Sequence, residues 1–144
     1  MTLLRLIAAD LADLDVISAA VQDGLMRMGE IVYDAKTRRF SALLQRFRWE
    51  RAHERGPYER VRAVLSFDGV EAVRTRRLRR DQPDALAALL SLKFEAAEEP
   101  PAGVARLVLA GGGEIALDVE CLDVTLVDIG PAWPTPRRPD HERA

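Results

Sequence analysis

The stretch RVRAVLSFDGVEAVRTRRLRR, residues 60–80, constrains the fold more than any other part of the chain. Val61, Ala63, Leu65 and Phe67 alternate with Arg60, Arg62, Val64, Ser66 and Asp68. A period of two puts one apolar set on a single face of a strand. Asp68-Gly69 then stands between two apolar runs and predicts a two-residue type I′ turn, which needs positive φ at both central residues. Val70, Ala72 and Val73 open the return strand. In that register Phe67 faces Val70, Leu65 faces Ala72, Ala63 faces Arg74 and Arg60 faces Arg77. Like charges directly opposite are unfavourable by up to about 1 kcal/mol. Acidic side chains of the same chain, solvent between splayed strands, or an external anion are the three ways to offset them. Arg79 and Arg80 follow, so five of the seven residues from Arg74 to Arg80 are arginine.

Those arginines belong to a wider charge division. The net charge is −2 over 144 residues. Residues 1–35 carry −4, residues 36–80 carry +9 and residues 81–144 carry −7. Either the basic middle packs on the acidic end, or a basic face meets phosphates or acidic partners. Arginine outnumbers lysine nineteen to two. A GC-rich genome accounts for that bias better than bidentate recognition does, which lowers the weight of arginine count alone. The length suits one domain with one core, and 48% apolar with 31% charged residues is a globular balance.

Several function classes lose support. Cys121 is the only cysteine, so neither an intrachain disulfide nor a cysteine-based zinc site is expected. The apolar run Leu3–Ala9 is short and is followed at once by Asp10, Asp13 and Asp15, unlike a signal peptide. No run approaches the roughly 18 apolar residues of a membrane span, so no membrane partner is expected and a cytoplasmic location is the default. No cofactor motif appears.

In chain order, residues 2–8 read as a first strand or lead-in. Asp10–Asp23 reads as a helix with Asp10 as N-cap, an apolar set at Leu11, Leu14, Ile17 and Val21, and Gly24 at C′. Leu25–Tyr33 reads as a strand with a bulge at Gly29. Asp34–Arg38 is turn chemistry, and Arg39–Glu50 a long strand. Its rings Phe47 and Trp49 have the opposite parity to Arg46 and Arg48, which places the aromatics in the core and the arginines in solvent, not in a stacking site for single-stranded nucleic acid. Residues 51–59 form a polar loop containing His53. With Glu50 and Glu54 beside it, His53 is weighed as a base or ligand, but a lone loop histidine is usually only solvated.

Beyond the arginines, residues 81–84 break the chain, residues 85–89 suggest a short helical turn and Leu90–Ala96 alternates as a strand. Val104–Ala110 is a strand. Gly111-Gly112-Gly113 precedes a β-pattern and lacks the lysine of a phosphate loop, so it reads as a hairpin turn. Residues 114–128 begin with Ile115, Leu117, Val119 and Cys121 inward and Glu114, Asp118 and Glu120 outward. The parity then switches to Leu122, Val124 and Leu126, which calls for a bulge near Cys121 or a bend between strands. The outward acidic row supplies partners for the arginines more readily than a metal site. Residues 130–144 hold four of the eight prolines and read as an extended tail that cannot continue a sheet, with Trp133 anchoring it.

The run VECLDVTLVDIGPAW, a proline-rich close carrying PDH, and the N-terminal DLADLDVISAAVQDG helix together resemble a family of small alphaproteobacterial proteins defined as a domain of unknown function. The resemblance implies a single-domain cytoplasmic bacterial protein and brings no catalytic residue.

The expected fold is α+β: an N-terminal helix with a mostly antiparallel, strongly bent sheet or open barrel, the pleckstrin-homology type being one candidate, over residues 1–130, then the tail 131–144. The expected function is a non-enzymatic interaction module. Its contact residues are Arg60, Arg74, Arg76, Arg77, Arg79 and Arg80, and its partner is an acidic protein surface or a second copy of the chain, with nucleic acid behind them. The alternative is a small enzyme or ligand-binding domain with a pocket in the barrel mouth, marked by convergence of His53, Arg74 and Glu120.

Overall fold

The computed structural model describes residues 3–51, 58–136 and 138–139. His53 and His141 fall outside them. The first short strand, β1 (Arg5–Ala8), leads into the helix α1 (Leu11–Val21). Asp10 caps that helix as expected: its Oδ1 accepts from the Asp13 amide at 2.8 Å. The helix exit differs from the expectation. Asp23, at φ 61°, takes the left-handed position, and Gly24 is already strand. Gly24 is needed for closeness instead, because a Cβ there would stand 2.9 Å from both Leu44 Cδ1 and the Val21 carbonyl.

Among the described residues nine further strands follow: β2 (Gly24–Asp34), β3 (Arg39–Phe47), β4 (Tyr58–Phe67), β5 (Val70–Arg76), β6 (Leu86–Ala96), β7 (Gly103–Leu109), β8 (Glu114–Val119), β9 (Val124–Asp128) and β10 (Trp133–Thr135). All pairings are antiparallel, in the order β1-β9-β4-β3-β2-β6-β7-β8-β5, with β10 beside the start of β4. The sheet does not close. Leu14, Ile17 and Val21 of α1 are buried against it, and Ser18 Oγ accepts from the Leu92 amide of β6 at 2.9 Å. The fold is thus α+β with one helix on a bent, open sheet. No helix among the described residues is long and apolar enough to cross a membrane.

The predicted hairpin over residues 60–80 is overturned. Both strands exist, but they do not pair with each other. β4 pairs with β3 and β9, whereas β5 pairs with β8. Asp68-Gly69 is a corner at which the chain passes from one half of the sheet to the other. Only Gly69 has positive φ (71°), so the type I′ geometry is absent. The chain crosses back beside it between β8 and β9. Asp68 N donates to the Asp123 carbonyl at 3.1 Å, and Glu120 N to the Gly69 carbonyl at 2.9 Å. The parity switch after Cys121 is therefore a bend between strands. Residues 60–76 and 114–128 bend together, and each is the other's partner.

Three smaller expectations also change. Residues 86–89 are strand, not helical turn, because Gly24–Arg27 of β2 pairs with them. The proline-rich end contributes a strand after all: Trp133 pairs with Arg60 at a sheet margin, where Pro134 need not donate to a second neighbour. The long strand from Arg39 stops at Phe47 and is followed by a 3-10 turn at Trp49–Arg51. The Gly29 bulge does appear, as a register shift between Met26 and Ile31. The triple glycine closes the β7–β8 hairpin.

Candidate functional site

The corner between β4 and β5 dissolves the expected clash of Arg60 with Arg77 and parts Arg60 from the other five candidate arginines. Arg60 lies opposite Phe47 of β3 and Trp133 of β10. Its Nη1 donates to the Gln45 carbonyl at 2.9 Å and to the Asp23 carbonyl at 3.3 Å. Burial holds its guanidinium below the usual range, with Asp23 opposing that shift. It is separate from the other five, which lie on β5 and the segment after it. Arg74 is exposed and paired, its Nη2 2.6 Å from Asp118 Oδ1. The acidic row of β8 thus supplies Arg74, while Glu114 bonds Arg106 and Glu120 bonds Arg38.

Arg76, Arg77, Arg79 and Arg80 remain. All four are exposed, and none makes an ion pair with a described residue. Arg77 has φ 54° and lies over the β7–β8 turn. A Cβ on Gly112 would stand 2.9 Å from Arg77 Nη1. The glycine turn serves to admit this side chain.

The arginine segment crosses the opening in the sheet. Between Met26 and Ile31 the register of β2 shifts, and its second half pairs only with β3. β5 pairs only with β8. Between β2 and β5 lies a cavity of about 510 Å³, lined by Met28, Ile31 and Tyr33 of β2, Phe40 of β3, Val73 and Thr75 of β5, Ile115 of β8, and Leu78 and Arg80 above. Tyr33 Oη is already engaged, donating to the Val70 carbonyl at 2.8 Å. A second cleft, of about 450 Å³, lies on the other side of Leu78, with Arg77 and Arg79 at its rim.

The expected convergence of Arg74 and Glu120 is not found. Arg74 pairs in register with Ala116, four residues from Glu120, and each has its own ion-pair partner. The third member, His53, lies outside the described residues.

Sequence reasoning placed Arg46 and Arg48 in solvent, and both are buried. Arg46 ends the core row Phe40, Ala42, Leu44 on β3. Its Nε and Nη2 donate to Asp128 at 3.0 and 2.8 Å, and Nη1 and Nη2 donate to Glu50 at 2.8 Å each. Burial opposes the charge on Arg46, but the bonds to Glu50 and Asp128 outweigh it and raise the guanidinium above its usual range. Burial likewise raises Glu50, yet the Arg46 bonds prevail and hold its carboxyl below the ordinary value. Arg48 Nη1 bonds Glu59 at 2.8 Å. Strand parity places side chains on faces but does not say that a face ends in a carboxylate pair. The one available signal was Asp128 closing the inward row of Leu122, Val124 and Leu126.

A family model described as Protein of unknown function (DUF2948) matches residues 4–141. The chain belongs to that family. Neither a curated protein nor a solved structure was found to match it. Membership in DUF2948 brings no assigned reaction, so the functional reading of this family member rests on its own side chains.

Proposed function

We propose that this DUF2948 protein is a non-enzymatic interaction module that takes an acidic protein surface on Arg76, Arg77, Arg79 and Arg80. One observation carries the reading. Arg38, Arg39, Arg46, Arg48, Arg74 and Arg106 each hold a carboxylate of the same chain. These four hold none among the described residues, and they fall within five consecutive residues. Exposed arginines gathered at one sheet margin attract carboxylates bidentately and steer an anionic partner. A protein surface is favoured over nucleic acid on two grounds. The chain is acidic overall, with a pI near 5.7, whereas nucleic-acid domains are typically basic. The rings that line a cavity with Arg80 are Tyr33, whose hydroxyl is bonded to the Val70 carbonyl, and the buried Phe40, and neither is an open stacking platform. A second copy of the chain, with its acidic 81–144 segment, is one such surface.

Fluorescence anisotropy with a labelled polyglutamate peptide, titrated across salt, tests the reading. Salt-sensitive binding that disappears in the Arg76→Ala/Arg77→Ala/Arg79→Ala variant supports it. Binding of labelled RNA but not of the peptide transfers the surface to nucleic acid and overturns the proposal. Sedimentation equilibrium of the unlabelled protein identifies self-association.

A second reading, a ligand pocket in the mouth of the sheet, is favoured by the cavity between β2 and β5. Its volume falls within the range of small-molecule sites. Arg74 and Glu120 stand in separate pairs and are not in its lining, and the pocket reading is of a binder.

A further inference from the structure

We infer that the cavity between β2 and β5 binds a free amphiphilic carboxylate, a single aliphatic chain whose acid head rests on Arg80. The inference deepens the pocket reading and shares only Arg80 with the acidic-partner surface. Three features support it. Six of the nine lining side chains are apolar: Met28, Ile31 and Phe40 on one side, Val73 and Ile115 on the other, Leu78 above. Met28, Ile31, Val73 and Leu78 are only half-buried, so apolar surface is left facing the space. An apolar chain laid there removes that surface from water, which is the main source of affinity in such sites.

The polar groups of the lining are few and sorted. Tyr33 Oη is spent on the Val70 carbonyl. Thr75 and Arg80 remain, and among the described residues Arg80 is the only charged one of the lining. Arg80 is exposed and without an ion pair to a described residue, while no described acidic residue lines the space to repel an anion. One cation at the rim of an apolar slot selects a ligand with one anionic end. A guanidinium also holds a carboxylate in a two-pronged contact that an alcohol cannot make.

The ligand lies between the margins of β2 and β5, which form no strand ladder with each other and meet through Tyr33 Oη and the Val70 carbonyl. An aliphatic chain suits that gap because it asks for no backbone partners.

The test is displacement of anilinonaphthalene sulfonate, a fluorescent apolar anion, by decanoate, decanol and acetate. Wild-type protein binds the dye. Decanoate displaces it, decanol is about tenfold weaker or more because it lacks the charged contact, and acetate does not displace it. Arg80→Ala, a change at an exposed side chain, removes the preference for decanoate over decanol. Val73→Trp fills the slot and abolishes displacement by both. Circular dichroism checks that this variant folds, and Thr75→Phe supplies a second obstruction from the same strand face. Equal displacement by decanoate and decanol in the wild type, or dye binding untouched by both obstructing variants, overturns the inference. Co-sedimentation with phosphatidylglycerol vesicles separates a free acid from a bilayer lipid: the protein stays in the supernatant, and co-pelleting overturns the free-acid source. The Arg76→Ala/Arg77→Ala/Arg79→Ala variant keeps its decanoate binding, so this inference and the acidic-partner reading fail separately.

Discussion

Arg46 Nη2 lies 2.8 Å from Asp128 Oδ2, and neither side chain has solvent-exposed surface. The contact reaches from β3 to β9 over the intervening β4. Asp128 also holds the chain before β1: the Leu4 amide donates to its Oδ2 at 2.9 Å, and its own amide donates to the Leu4 carbonyl at 3.0 Å. Three strands and the N-terminal segment therefore depend on one ion pair.

Removing one partner of a buried pair leaves the other desolvated and uncompensated, at about 3–5 kcal/mol. Asp128→Ala leaves Arg46 with Glu50, so its loss falls at the low end, near 3 kcal/mol. Arg46→Leu leaves Asp128 buried with only the Leu4 amide and falls nearer the high end. The Arg46→Leu/Asp128→Leu double variant is less destabilised than Arg46→Leu alone. Urea unfolding at neutral pH reads all three; a single-variant loss below about 1 kcal/mol contradicts the argument.

Glu50 gives the network a pH dependence with a definite sign. Its folded value is held below the ordinary 4.5 because the Arg46 bonds outweigh burial. A carboxylate with a depressed folded value adds stability that is fully present above its unfolded value. That stability is lost as pH falls through the folded value. Unfolding midpoints measured from pH 6 downward should fall below about pH 4.5, and more steeply in the wild type than in Glu50→Gln. Equal slopes remove Glu50 as a contributor.

Much of the fold was legible because it follows from local alternation. The Asp10 cap, the Gly29 bulge and the strand after the triple glycine each declare themselves within a few residues. Pairing did not. Asp68-Gly69 has the composition of a hairpin turn, but residues 60–76 find a better partner in residues 114–128, far along the chain and bent at the same place. Local turn preference is worth little against two long strands pairing in register. Likewise Arg46 had the parity of a core residue and the chemistry of a surface one. Asp128, 82 positions away, decided for the core. Of the candidate arginines, Arg76–Arg80 stayed together because they are adjacent in sequence, while Arg60 parted from them when the hairpin opened.

Close packing makes a sharper prediction at Gly103. A Cβ there would stand 2.5 Å from both the Glu95 carbonyl and Phe94 Cζ, in the β6–β7 pair. Backbone on one side and a ring on the other cannot both give way. Gly103→Ala should cost about 1–3 kcal/mol. Gly130→Ala is the matched control. Its Cβ would meet only Arg62 Cβ at 3.9 Å, so the restricted unfolded chain makes it neutral or stabilising by up to about 1 kcal/mol. Thermal unfolding of both variants decides the point, and equal behaviour would refute it.

The exposed pair of Arg74 with Asp118 separates stability from recognition. Their side chains are 58% and 38% exposed, and such pairs contribute under about 1 kcal/mol. Asp118→Asn should therefore leave the unfolding midpoint nearly unchanged. It also frees Arg74, which shares its outward parity on β5 with Arg76. The unpaired row then runs from Arg74 to Arg80. If that row is the contact surface, polyglutamate binds the variant more tightly than the wild type, and its affinity falls more steeply with salt. Unchanged affinity in a variant of unchanged stability would mean that the partner does not reach Arg74, and weaker affinity would move the contact off this margin altogether.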